Sequence, residues 1–144
     1  MNYKGILFFL GINSLIVSFF SILNILYSFY FNFILDINSY LICFFTTLLL
    51  GLLFCFVGYK FNKNISINDQ ILLFILTFVF IPLFLSLPYY FSIYNLNFLN
   101  SYFESVSGFT ATGFSTIKNV NNIDEPLLLW RSSSQWLGGL LFII

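Results

Sequence analysis

Three apolar stretches, each longer than or close to the roughly 20 residues a helix needs to cross a bilayer, decide what this chain can fold into. The first runs without a charge from Gly5 to Leu35, the second from Ile37 to Tyr59, and the third from Gln70 into the Pro88 region. Membrane-spanning strands are shorter and alternate polar with apolar residues, so these stretches read as helices. Residues are 60% hydrophobic and 7% charged, and the mean hydropathy is +0.97. That leaves too little polar surface to cover a water-soluble globule. The fold class expected is therefore an all-α integral membrane protein.

Composition also removes several function classes. Five basic and five acidic residues balance to a net charge of +0, without the basic footprint of a nucleic-acid binder. There is no His, and the two Cys and five carboxylates form no recognisable metal cluster or Ser/His/Asp set. Neither an enzyme nor a bound cofactor is expected. The 22 Phe and 9 Tyr accompany frequent Ile and Asn, a bias that an AT-rich genome also produces, so the Phe count carries no functional meaning. Cys43 and Cys55 lie 12 positions apart in one run, about 18 Å along a helix. They cannot bridge each other there and read as apolar thiols.

The leader segment, residues 1–64, should hold two transmembrane helices at about 5–33 and 38–59, with a cytoplasmic loop leading on to a third helix. Along the first, Ser14, Ser18, Ser21 and Ser28 recur at helical spacing, giving a small, weakly polar face suited to close helix packing. Lys4, Lys60 and Lys63 flank one end of this pair, whereas the connection between the two helices carries only Asp36. By the positive-inside rule the N-terminus is cytoplasmic. The third helix, at about 69–92, should start at a cap provided by Asn68 or Asp69 and bend at Pro82 and Pro88.

From Asn95 the character changes: Asn, Ser, Thr and Gly become dense while aromatic residues persist. Ser101 and Glu104 have capping-box spacing, and Gly108 suits a helix end, so a short helix is expected over 101–108. The next stretch, 109–114, is too polar to face lipid, and its backbone is tolerable at membrane depth only when buried or lining a wet path. A potassium filter uses such a strand, with carbonyl oxygens replacing the ion's hydration shell and Gly113 supplying backbone freedom. The short helix would aim its partly negative end at a cation. Asp124 and Pro126 suit the start of a last helix, 125–144. Arg131, one turn inside it, either snorkels outward or pairs with Glu104.

These residues resemble a known family. Phe103-Glu104-Ser105-Val106-Ser107-Gly108-Phe109-Thr110-Ala111-Thr112-Gly113-Phe114-Ser115 looks like the first pore loop of the Trk/Ktr/HKT potassium-uptake family. Leu129-Trp130-Arg131-Ser132 and Gln135-Trp136-Leu137-Gly138-Gly139 resemble the start of the helix after that loop, and Ser86-Leu87-Pro88-Tyr89-Tyr90 the approach to it. The resemblance covers Asp69 to Ile144; the first two helices match only in position, as a leader pair. It implies that residues 65–144 form the first helix–pore loop–helix repeat of a potassium-channel-like architecture, in a TrkH-like membrane subunit built from four repeats around one potassium path. Filter carbonyls would come from Thr110, Ala111, Thr112 and Gly113, and the pore loop would be supported by Glu104, Gly108 and Arg131. In some relatives Ser replaces the filter Gly and accompanies sodium permeation, so Gly113 favours potassium.

The resemblance also implies a bacterial plasma (inner) membrane location, homodimers, and a cytoplasmic nucleotide-binding, TrkA-like regulatory subunit. One repeat is present of the four, and the last block spans roughly 28 Å by helical rise. The expectation is thus the N-terminal part of a potassium-translocating subunit, truncated or from a split gene, with the other repeats supplied by another chain or by copies. The alternative is a membrane fragment that conducts nothing.

Overall fold

The computed structural model describes residues 2–33, 37–60, 66–94, 96–117 and 123–143. They form five helices, α1 (Tyr3–Tyr30), α2 (Ile37–Gly58), α3 (Ile67–Phe91), α4 (Phe98–Phe109) and α5 (Glu125–Ile143), with no strand among the described residues. The all-helical class expected from the sequence is what the chain adopts. By length and composition α1, α2 and α3 are each able to cross a membrane. With its 12 residues α4 reaches only about 18 Å, short of the roughly 30 Å hydrocarbon core.

The leader helices pack as an antiparallel hairpin. Gly51 faces the backbone of Gly11, where an added Cβ would stand 3.1 Å from the Gly11 carbonyl oxygen, and Gly58 sits against the Lys4 carbonyl. Lys4 and Lys60 therefore share one end of the hairpin. Asp36 and Lys63, which entered the same charge argument, lie outside the described residues, as does the boundary placed at 64/65. The serine face of α1 is buried. Ser14, Ser18 and Ser21 donate to the carbonyls of Leu10, Leu15 and Val17 in their own helix, and Ser21 also reaches the Cys43 sulfur of α2 at 3.4 Å, so most of this polarity is satisfied within α1.

Helix α3 runs parallel to α1. Asn13 Nδ2 donates to Thr77 Oγ1 at 3.3 Å, and the Asn2 amide donates to Asp69 Oδ1 at 3.1 Å. The cap of α3 differs from the one expected. Ser66 occupies the N-cap and Asp69 the third helical position, in a capping box closed by Asp69 N–H to Ser66 Oγ and Ser66 N–H to Asp69 Oδ2. Ser caps well and its partner carboxylate belongs three residues on, so Asp69 is the responder and not the cap. Pro82 and Pro88 both lie within α3, which continues past them to Phe91.

The core gathers where Trp130 of α5 meets side chains of α2 and the backbone of α3. Trp130 is fully buried, tilts against Tyr40 at a ring separation of 5.7 Å, and donates through Nε1 to the Leu85 carbonyl at 3.0 Å. Tyr27 at the far end of α1 reaches the Glu125 carboxylate at the start of α5, 2.9 Å away.

Candidate functional site

Helix α4 is seated on α3. Ser105 Oγ donates to the Pro82 carbonyl at 2.8 Å and Tyr102 Oη to the Val79 carbonyl at 3.3 Å, while Phe109 meets the edge of Phe78 at 5.0 Å. The helix starts three residues before the expected Ser101. Asn97 is the cap, its side chain accepting from the Asn100 amide at 2.9 Å, whereas Ser101 Oγ turns back to the Asn97 carbonyl. The capping box expected of Ser101 and Glu104 does not form, because the Glu104 carboxylate is held elsewhere.

That carboxylate is fully buried and organises the loop. Glu104 Oε2 accepts from Arg131 Nη1 at 2.5 Å, and Oε1 accepts from the hydroxyls of Ser115 and Thr116 at 2.9 Å each and from the Thr116 amide. Of the two roles open to Arg131, pairing with Glu104 is the one it takes. A buried ion pair is tolerable only when its remaining hydrogen-bonding capacity is filled, and here loop groups fill it. Arg131 Nη2 donates to the Phe114 carbonyl at 2.9 Å and lies 3.4 Å from that of Gly113.

Nor does α4 end at Gly108. It runs through Phe109 and closes on a turn in which the Ala111 amide donates to Gly108 O at 2.9 Å and the Thr112 amide to Ser107 O at 3.1 Å. These are the paired bonds of a Schellman cap, whose left-handed position is usually glycine. Ala111 occupies it, at φ 55, a conformation costing an L-residue roughly 1–2 kcal/mol. Gly108 serves a different purpose: a Cβ there would stand 2.5 Å from Ser134 Oγ, so its bareness lets α5 approach. Gly113, at φ +80, supplies the backbone freedom expected of it.

The loop is thus fastened from behind and open in front. Residues 110–114 are exposed, and the carbonyls of Thr110, Ala111 and Thr112 accept no hydrogen bond among the described residues. Gly113 O is set apart from these three by its neighbouring guanidinium. Ser107 Oγ donates to the Phe114 carbonyl at 2.6 Å and lies 3.2 Å from Thr112 Oγ1, and Gly138 admits the Phe109 carbonyl so closely that a Cβ would collide with it. Sequence reasoning assigned no role to Ser107, Ser115, Thr116 or Gly138. Ser107 and Ser115 lie inside the pore-loop string and Gly138 inside a neighbouring one, but their spacing alone does not say which group each meets. Electrostatically, exposed carbonyls at the C-terminal end of a helix suit a cation and not an anion.

The chain is similar to an uncharacterized cation transporter of Methanocaldococcus jannaschii, 28% identical over 99% of this chain and 30% of that protein. It is also similar to the Trk system potassium uptake protein TrkI of Halomonas elongata, 39% identical over 48% of this chain and 14% of the relative. To TrkH of Escherichia coli K12 it is 28% identical over 70% of this chain and 21% of the relative. The chain thus spans less than a third of the length of these curated relatives. No protein-family model matches it, and neither does any solved structure.

Proposed function

We propose, on the premise that the chain belongs to the Trk potassium-uptake family, that its loop from Thr110 to Gly113 supplies one wall of a potassium-conducting filter. The observation that carries this reading is the pairing of three unengaged carbonyls, at Thr110, Ala111 and Thr112, with a rear anchorage through the buried Glu104–Arg131 pair. A potassium ion sheds its water only when replacement oxygens are already in place. A loop tied back at Phe114 and by the α4 cap holds its three free carbonyls in place to meet that requirement, and the α4 carboxyl-terminal dipole adds a favourable field.

The other walls come from further repeats of the same kind. The lysines at one end of the hairpin support a cytoplasmic N-terminus, in a bacterial inner membrane. The family resemblance supports a cytoplasmic nucleotide-binding regulatory subunit as partner.

Rubidium uptake in a potassium-auxotrophic host expressing the full chain tests the assignment. Gly113→Ser is expected to lower uptake and weaken discrimination against sodium; uptake and discrimination unchanged by that substitution would sink it. Carbon-13 spectra of the labelled chain give a second reading. Carbonyl resonances of Thr110, Ala111 and Thr112 should move when potassium replaces an organic cation.

A further inference from the structure

Pro88 has no amide hydrogen, and its ring stands where the donor to the carbonyl four residues earlier, that of Phe84, would be. A carbonyl freed in this way inside the membrane needs another donor, since lipid offers none. In this fold the donor comes from the leader hairpin: the Cys43 thiol of α2 points at the Phe84 carbonyl oxygen, 3.4 Å away. Ser21 of α1 completes the chain, with its hydroxyl 3.4 Å from the Cys43 sulfur. One residue on, the Leu85 carbonyl accepts from Trp130 Nε1 at 3.0 Å. Cys43 and Trp130 are both fully buried, so the break in α3 is enclosed by α1, α2 and α5 together.

We propose that Cys43 is a positioning residue that closes the α3 break at Pro88, and that through it the leader hairpin sets the seat on which α4 and the loop after it rest. The transmission is short. Inward of the break, the same helix offers its Pro82 and Val79 carbonyls to Ser105 and Tyr102 of α4, and Phe78 to Phe109. A change in the course of α3 at Pro88 shifts that seat relative to α5, whose Ser134 and Gly138 meet Gly108 and the Phe109 carbonyl of α4 without slack. This role does not depend on which ion, if any, the loop carries. The hydrogen bond is weak by the standard of N–H donors, and its importance lies in being the replacement for one the helix has lost.

The discriminating experiment is a double-mutant cycle on the purified full chain in lipid nanodiscs, read by backbone hydrogen–deuterium exchange over 85–92 and 105–116. Cys43→Val keeps much of the bulk and loses the donor, whereas Cys43→Ser keeps the donor. The valine variant should exchange about tenfold faster in both segments, and the serine variant should stay close to wild type. In a Pro88→Ala background, where the helix regains its own donor, Cys43→Val should have no further effect. Wild-type exchange in Cys43→Val, or equal acceleration with and without Pro88, would overturn the proposal.

Infrared spectroscopy of the Cys55→Ser chain provides a measurement that needs no substitution at Cys43. The S–H stretch should be red-shifted as for a bonded thiol and return toward the free value in Pro88→Ala. An unshifted band, or one indifferent to Pro88→Ala, would count equally against it.

Discussion

Arg131 of α5 and Glu104 of α4 meet 2.5 Å apart in an ion pair whose carboxylate is fully buried, and each also holds part of the segment 113–116 beyond the α4 turn. The pair is the joint between two helices and the loop. Its removal therefore exposes two different costs, one of charge and one of loop order.

Arg131→Met leaves the Glu104 carboxylate buried without its counter-ion, and the expected loss of stability is about 3–5 kcal/mol. Pairing Arg131→Met with Glu104→Gln should recover a large part of that loss. Denaturant unfolding in detergent measures both, and a double variant no more stable than the single one would show that the loop bonds, not the charge, dominate.

Gly138 and Gly139 are neighbours with opposite expectations. A methyl group at Gly138 runs into the Phe109 carbonyl, whereas at Gly139 it meets open space within 4 Å. Gly138→Ala should destabilise by at least ~1–3 kcal/mol through forced displacement of α5 from α4. Gly139→Ala should be neutral or slightly stabilising, as Gly→Ala is inside an exposed helix position. Thermal melts of the two chains, side by side, check the contrast.

Ala111 holds a left-handed conformation without being glycine. Ala111→Gly is expected to relieve strain and raise stability by about 1 kcal/mol, and Ala111→Val to lower it. If both substitutions destabilise equally, the methyl of Ala111 makes a contact that outweighs its backbone cost.

The start of α4 offers a test of which residue caps it. Asn97→Ala should cost about 1 kcal/mol. Ser101→Ala, by contrast, removes a hydroxyl bonded to the carbonyls of Leu96 and Asn97, of which the second still accepts from the Ser101 amide, and should cost less. Amide exchange at Leu99 and Asn100 separates the two. Faster exchange in Ser101→Ala alone would restore Ser101 as the cap.

Much of the architecture was legible because lipid makes few demands and makes them strictly. Runs such as Ile37 to Tyr59 have no folding option but helix, and the prolines of α3 mark where neighbours must intervene without saying which. The loop was legible as an anomaly, since Thr110 to Gly113 is too polar for lipid and too apolar at its flanks for solvent. The cap assignments failed for different reasons, one of them that a carboxylate at capping distance is claimed by a stronger donor in reach. For Glu104 that donor is Arg131, 27 residues away, beyond any local pattern. For Asp69 the local partner did win, but in the responder's place, with Ser66 as cap. Gly108 illustrates a second limit. Its type announced a special position, yet only the approach of Ser134 shows that the need is for space and not for a turn.

The serine face of α1 has a consequence for how the leader hairpin withstands change. Three of its hydroxyls bond to carbonyls of their own helix, and of these Ser21 alone also reaches α2, at the Cys43 sulfur, so that side of the joint with α2 is held mainly by shape. Such a joint forgives chemistry and punishes volume: losing a hydroxyl at Ser14 leaves the two surfaces able to mate, whereas gaining a methyl at Gly51 drives them apart. The hairpin behaves as a fitted key, whose resistance to drift resides in what its residues lack.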